Sequence, residues 1–163
     1  MSYPIDVTPW RLEWNEGLSM CIPEIDAEHQ RFILLVNDLN EAIVGRMDLE
    51  VIKRCMQAIL NDATAHFAHE EALFKQWGYP QAAEHAAKHA QIMLAMHDIM
   101  GHFERGGTEY EWIEAGLQVK QALIEHLLSE DMKYRDYCCL SGERVQGVRC
   151  ESCPGRATPG QAA

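Results

Sequence analysis

Positive charge is scarce in this sequence: 14 lysines and arginines stand against 25 aspartates and glutamates, a formal net charge of -11. Such a surface repels phosphate backbones and anionic headgroups, which argues against nucleic acid or a membrane as the main partner. Long apolar runs are missing too, and none approaches the ~20 residues that a spanning helix needs. The opening stretch, MSYPIDVTPWRLEWNEG, lacks the basic start and apolar core of a signal peptide, which predicts a cytoplasmic address. Proline is absent from 24 to 79 and from 81 to 153, and no segment alternates with the period of two that marks a strand. The six cysteines are not spread as a secreted disulfide framework would spread them, since four lie in the last 26 residues. They are read as reduced thiols.

What is present points to helices. With 163 residues, 47% of them apolar and 24% charged, the chain suits one ordinary globular domain. Gly45, Gly78, Gly106–Gly107 and Gly142 punctuate the proline-free stretches and predict helices over 24–44, 48–77, 81–105 and 108–137. Asp48 and Thr108 are candidate N-caps. Within each helix the apolar residues recur at steps of three and four, as in Ile52, Met56, Ile59, Ala63, Phe67 and Phe74 of the second. The expected fold is all-α: an up-down-up-down antiparallel four-helix bundle over 24–137. An N-terminal arm, 1–23, precedes it, and an irregular cysteine-containing tail, 138–163, follows.

The buried stripes are interrupted by groups that bind metals. The first helix places His29 there, the second His66 and Glu70, the third His85 and His89, and the fourth His126 and Asp131. Pairs four apart share one helix face. His126 and Asp131 are five apart, an offset of about 140° on a regular helix, so Asp131 turns inward only if the helix adjusts locally. At ~1.5 Å per residue, all seven fall within a slab about 10 Å thick in an antiparallel bundle. An unpaired charge buried in an apolar medium costs several kcal/mol, so something must neutralise these groups. Two metal ions, with the two carboxylates placed to bridge them, satisfy the count. Imidazoles and carboxylates without thiolate suit iron, with zinc, manganese and copper left open by ligand type. A ferritin-like di-iron site needs Glu-x-x-His, and a zincin needs His-Glu-x-x-His; neither motif occurs.

These residues resemble the hemerythrin family, specifically a bacterial single-domain member. The likeness runs from residue 14 to about 137. It comprises WNEGLSMCIPEIDAEHQ with Ile25, Asp26 and His29, then His-Phe-x-x-Glu-Glu from His66 to Glu71 and Gly78-Tyr79-Pro80. The His-x-x-x-His of His85 and His89 and the His-x-x-x-x-Asp of His126 and Asp131 complete it. The resemblance implies one iron on His85, His89 and His126, the other on His29 and His66, with Glu70, Asp131 and an oxo or hydroxo group bridging. The second iron then keeps one open position, where the family binds dioxygen reversibly. Phe32, Phe67, Leu123 and Leu127 would form a dry apolar pocket around it. The family often has tryptophan immediately before the position of Leu123; here it is Ala122, which changes access to that pocket.

The expected role is therefore a binding protein for O2 storage, transport or delivery, not an enzyme, with a protein acceptor as a further partner. Two other readings compete: an O2 or redox sensor acting through the tail or a partner, and a di-iron enzyme processing peroxide or nitric oxide. No general acid is evident near the pocket, which counts against the enzyme. His69, His97 and His102 are assigned to solvated or packing roles, Glu71 to the surface, and Cys55 to the core as a small residue. In the tail, Cys138 or Cys139 with Cys150 and Cys153 is read as free thiols, with metal or redox use as the alternative.

Overall fold

The computed structural model describes residues 11–140. Its helices are α1 (Pro23–Val44), α2 (Leu49–Trp77), α3 (Ala82–Glu104), α4 (Glu109–His126) and α5 (Met132–Leu140). A π-helical turn, Leu127–Asp131, joins α4 to α5, so the expected fourth helix is continuous but carries an irregularity. It runs to Leu140, past the expected end at 137. α1 packs on α2 and α4, and α3 packs on the same two, which makes an all-α four-helix bundle. No described helix is long and apolar enough to cross a membrane.

Local chemistry sets the boundaries. Thr108 closes a capping box before α4: its hydroxyl accepts from the Glu111 amide, and Glu111 accepts from the Thr108 amide. Asp48 occupies the N-cap of α2, but its side chain makes no capping bond, so only half of that expectation holds in chemical terms. Gly78 ends α2 at φ 65°, a left-handed conformation that side chains rarely adopt, and its amide reaches back to the Phe74 carbonyl. Ahead of α1, Asp26 accepts from the Ser19 hydroxyl and the Met20 amide, both at 2.6 Å, and pins the incoming chain.

The core is split. A large cluster including Val36, Leu39, Ile52, Met56, Ile59, Met96, Phe103 and Val119 fills most of the bundle. A smaller one, of Met20, Ile22, Ile25, Phe74, Tyr79 and Tyr134, closes the other end. Cys55 is half-buried and free, and Cys138 is buried and free, whereas Cys21 is disulfide-bonded. That corrects the reading of Cys21 as a reduced thiol. Cys150 and Cys153 lie outside the described residues.

Candidate metal centre

On every helix the expected donors fall between the two apolar clusters. Along α1, His29 lies between Ile25 and Phe32; along α2, His66 and Glu70 lie between Ala63 and Phe74; Asp131 precedes Tyr134. All seven are buried. Candidate ligand atoms of Glu70, His85, His89, His126 and Asp131 lie within 4.8 Å of one another, and those of His29, His66, Glu70 and Asp131 do the same. The two carboxylates are common to both groups. Asp131 presents Oδ1 to His85 and His126, at 3.2 and 3.1 Å, and Oδ2 to His29 at 3.3 Å. Glu70 presents Oε2 to His89 at 3.0 Å and to His66 and His85 at 3.6 Å.

Asp131 arrives there because of the π turn. One residue more than a regular turn lies between His126 and Asp131, and the wider coil absorbs it, so both face inward. This is the local adjustment that a spacing of five required.

Proton positions follow from the outer partners. Glu28 accepts from His66 Nδ1 at 2.6 Å and from His69 Nδ1 at 2.7 Å, and Glu71 accepts from His89 Nδ1 at 2.9 Å. A carboxylate only accepts, so each of these nitrogens carries a proton and the opposite Nε2 of the neutral ring offers a lone pair. Burial works to raise the Glu28 pKa, but the bonds from His66 and His69 prevail and hold it below the usual range. Tyr134 donates to Glu70 Oε1 at 2.6 Å, which leaves Oε2 as the oxygen that faces the imidazoles. Glu71 is on the surface and His69 part-exposed, as expected, yet Glu71 also orients His89, and His69 shares the Glu28 carboxylate with His66.

This proton assignment provides the test of fit. His89 Nε2 and Glu70 Oε2 lie 3.0 Å apart, both buried, neither with a hydrogen-bond partner, and Asp131 Oδ1 is in the same condition. A lone pair facing a carboxylate oxygen at that distance is repulsive unless a cation lies between them. Protons are the alternative, since the carboxylates and imidazoles shift one another towards their charged forms. Burial works to lower the His85 pKa, but Asp131 and Glu70 raise it to about 9. Burial and Asp131 work to raise Glu70, but His85 and His89 bring it to about 2. Burying a charge costs several kcal/mol per ion even after relaxation, whereas a metal with well-placed donors returns on the order of 10 kcal/mol. Metal ions are the better solution. Five imidazoles and two carboxylates, without thiolate, fit two iron ions.

Beside the centre lies a cavity of about 20 Å³, near what one water molecule requires. Phe32, Phe67, Leu123 and Leu127 all line it, with Ile33, Val36, Ile124 and Leu12. Its titratable lining is His29, His66, His126 and Asp131, all from the donor set. Phe67 stacks on His89 with centroids 3.9 Å apart and planes at 9°, and its ring also meets His66 and His126 at 5.7 and 5.6 Å. Four residues of this site were not singled out for it from sequence: Glu28, Glu71, Tyr134 and Leu12. Glu28 and Glu71 each adjoin a donor, His29 and Glu70, and that adjacency is the one signal that pointed to them.

Comparison with known proteins agrees. The family model described as the Hemerythrin HHE cation binding domain matches residues 21–138. A Bacteriohemerythrin of Stenotrophomonas maltophilia is 26% identical over 125 residues, covering 77% of this chain and 80% of that protein. A Bacteriohemerythrin of Pseudomonas aeruginosa is 25% identical with the same coverage. The Hemerythrin-like protein of Naegleria gruberi is 24% identical over 127 residues, 78% of this chain and 93% of its own length.

Proposed function

Since the chain belongs to the hemerythrin family, we propose that it binds dioxygen reversibly at a di-iron centre and serves O2 storage, transport or delivery. His85, His89 and His126 would hold one iron, His29 and His66 the other, and Glu70 and Asp131 would bridge them. Two iron ions held there would supply two electrons and a place for a small ligand to bind. The chain's own residues account for the rest. Glu28 and Glu71 fix the tautomers of His66 and His89, so that a lone pair is ready before the metal arrives. Phe32, Phe67, Leu123 and Leu127 keep water from the binding position, which slows loss of electrons to solvent.

Reversible binding is supported over turnover by the lining of the cavity. Among the described residues, every titratable group there belongs to the candidate donor set, so none of them is an independent acid placed to protonate and release a reduced ligand. The single observation that carries the reading is the pair of buried, unpartnered donor atoms, His89 Nε2 and Glu70 Oε2, with Asp131 Oδ1 beside them. A cytoplasmic address and a protein acceptor belong to the same proposal.

Metal analysis and an optical spectrum test it together. The expected result is two irons per chain and a visible ligand-to-iron charge-transfer band that appears with O2 and vanishes when O2 is removed. His126→Ala should lose iron. A parent chain free of iron after growth with ample iron, or a His126→Ala variant that retains both irons, would falsify the assignment.

A further inference from the structure

One wall of the pocket comes from outside the helices. Among the residues lining the cavity, Leu12 alone belongs to the segment ahead of α1. Exposure alternates along that segment: Arg11 and Glu13 are exposed, while Leu12 and Trp14 are half-buried, as in an extended chain laid on a helix. A single side chain fastens it at Leu12. Asn37 Oδ1 accepts from the Leu12 amide at 2.8 Å, and Asn37 Nδ2 donates to the Leu12 carbonyl at 2.9 Å. Asn37 is buried on α1, one turn beyond Ile33, which also lines the cavity. The neighbouring tie, Arg11 to Glu41 at 2.6 Å, is exposed and screened by solvent.

The walls therefore differ in how they can move. Phe32, Val36, Phe67 and Leu123 are locked into the large core cluster on three helices, and shifting any of them disturbs that packing. Leu12 is packed on its edge and can swing outward when two hydrogen bonds break, its backbone groups then turning to water. We propose that Leu12, latched by Asn37, is the gate of the ligand pocket, which determines how fast a small ligand or water reaches the iron side and how bulky that ligand can be. This rests on the reading that the cavity receives a ligand bound at a di-iron centre. Asn37 acts only through Leu12 and is a positioning residue.

A gate changes entry and exit together, whereas a residue that touches the bound ligand changes affinity. The full chain, loaded with ferric iron, is mixed with azide in a stopped-flow instrument, and association and dissociation rates are measured separately. In Leu12→Ala and in Asn37→Leu both rates should rise by about tenfold with iron content unchanged, and in Asn37→Leu, at a position that does not line the cavity, the dissociation constant should stay within about twofold. Unchanged rates in a Leu12→Ala chain that keeps its iron overturn the proposal, as does altered affinity without faster entry. A second arm needs no iron. In the metal-free chain the Leu12 amide should be protected from hydrogen exchange in the parent and unprotected in Asn37→Leu; protection retained in the variant overturns the latch. A parent chain that takes up no iron refutes the di-iron reading instead, and the exchange arm still decides whether Asn37 holds Leu12.

Discussion

Replacing Tyr134 with phenylalanine would remove one oxygen atom and leave the ring in place. That ring is fully buried and meets Phe74 and His85 edge-on, with centroids 5.0 and 5.7 Å apart, contacts that phenylalanine keeps. What is lost is the hydroxyl's bond to Glu70 Oε1 at 2.6 Å, where neither partner is exposed to water. Taking away one side of a buried hydrogen bond leaves the other desolvated and unsatisfied, at a cost of about 1–3 kcal/mol and more for a charged acceptor. A value of about 2 kcal/mol, at about 2–4 °C per kcal/mol in a chain of this size, lowers the melting temperature by about 4–8 °C. Tyr134→Ala is the comparator, since losing the ring as well should cost on the order of 3–5 kcal/mol. Urea and thermal melts at neutral pH, with and without iron, measure both. The deficit should shrink when iron is bound, because the freed Oε1 can turn towards a cation, and iron stoichiometry should stay the same. A metal-free Tyr134→Phe chain within about 0.5 kcal/mol of the parent would refute the reasoning, since surface changes alone reach that size.

Two further outcomes follow from the same geometry. Deleting Leu128, exposed within the π turn, restores a spacing of four between His126 and Asp131, so metal binding should persist with stability unchanged or higher; a folded variant that loses metal would sink the register argument. The metal-free fold should be most stable between about pH 4.5 and 6.5. The His85 contribution is complete below its ordinary value of 6.5 and fades as pH rises through about 9, while that of Glu70 is complete above 4.5 and fades as pH falls through about 2. Urea melts across that range check the profile, and an alkaline loss that iron does not abolish would contradict it, because bound cations replace the imidazole protons.

The bundle was legible because its signals are periodic and local. Ile52, Met56, Ile59, Ala63, Phe67 and Phe74 repeat at helical steps, and each is buried. The candidate donor cluster stood out for the opposite reason: His66 and Glu70 occupy positions where the period calls for apolar residues, and the fold brings seven such exceptions together. The π turn was visible only as a demand, since nothing in LLSED distinguishes a wide turn from a regular one until Asp131 must face inward. Glu28 and Glu71 were hidden by the same periodicity that exposed their neighbours. Adjacent helical residues point about 100° apart, so a carboxylate beside a donor looks like a surface group, and only the packing of α1 on α2 and of α2 on α3 shows which imidazole it reaches. Leu12 was out of reach altogether, because an arm without a period carries no register, and its place is set by Asn37, 25 residues away.

The ring of Phe67 touches three of the five imidazoles and spans both donor groups. Three imidazoles packed on one flat side chain cannot all re-orient without displacing it. The two candidate donor groups therefore share a ring contact as well as the carboxylates of Glu70 and Asp131. A smaller side chain at 67 would remove that contact and leave the carboxylates as what the two groups have in common.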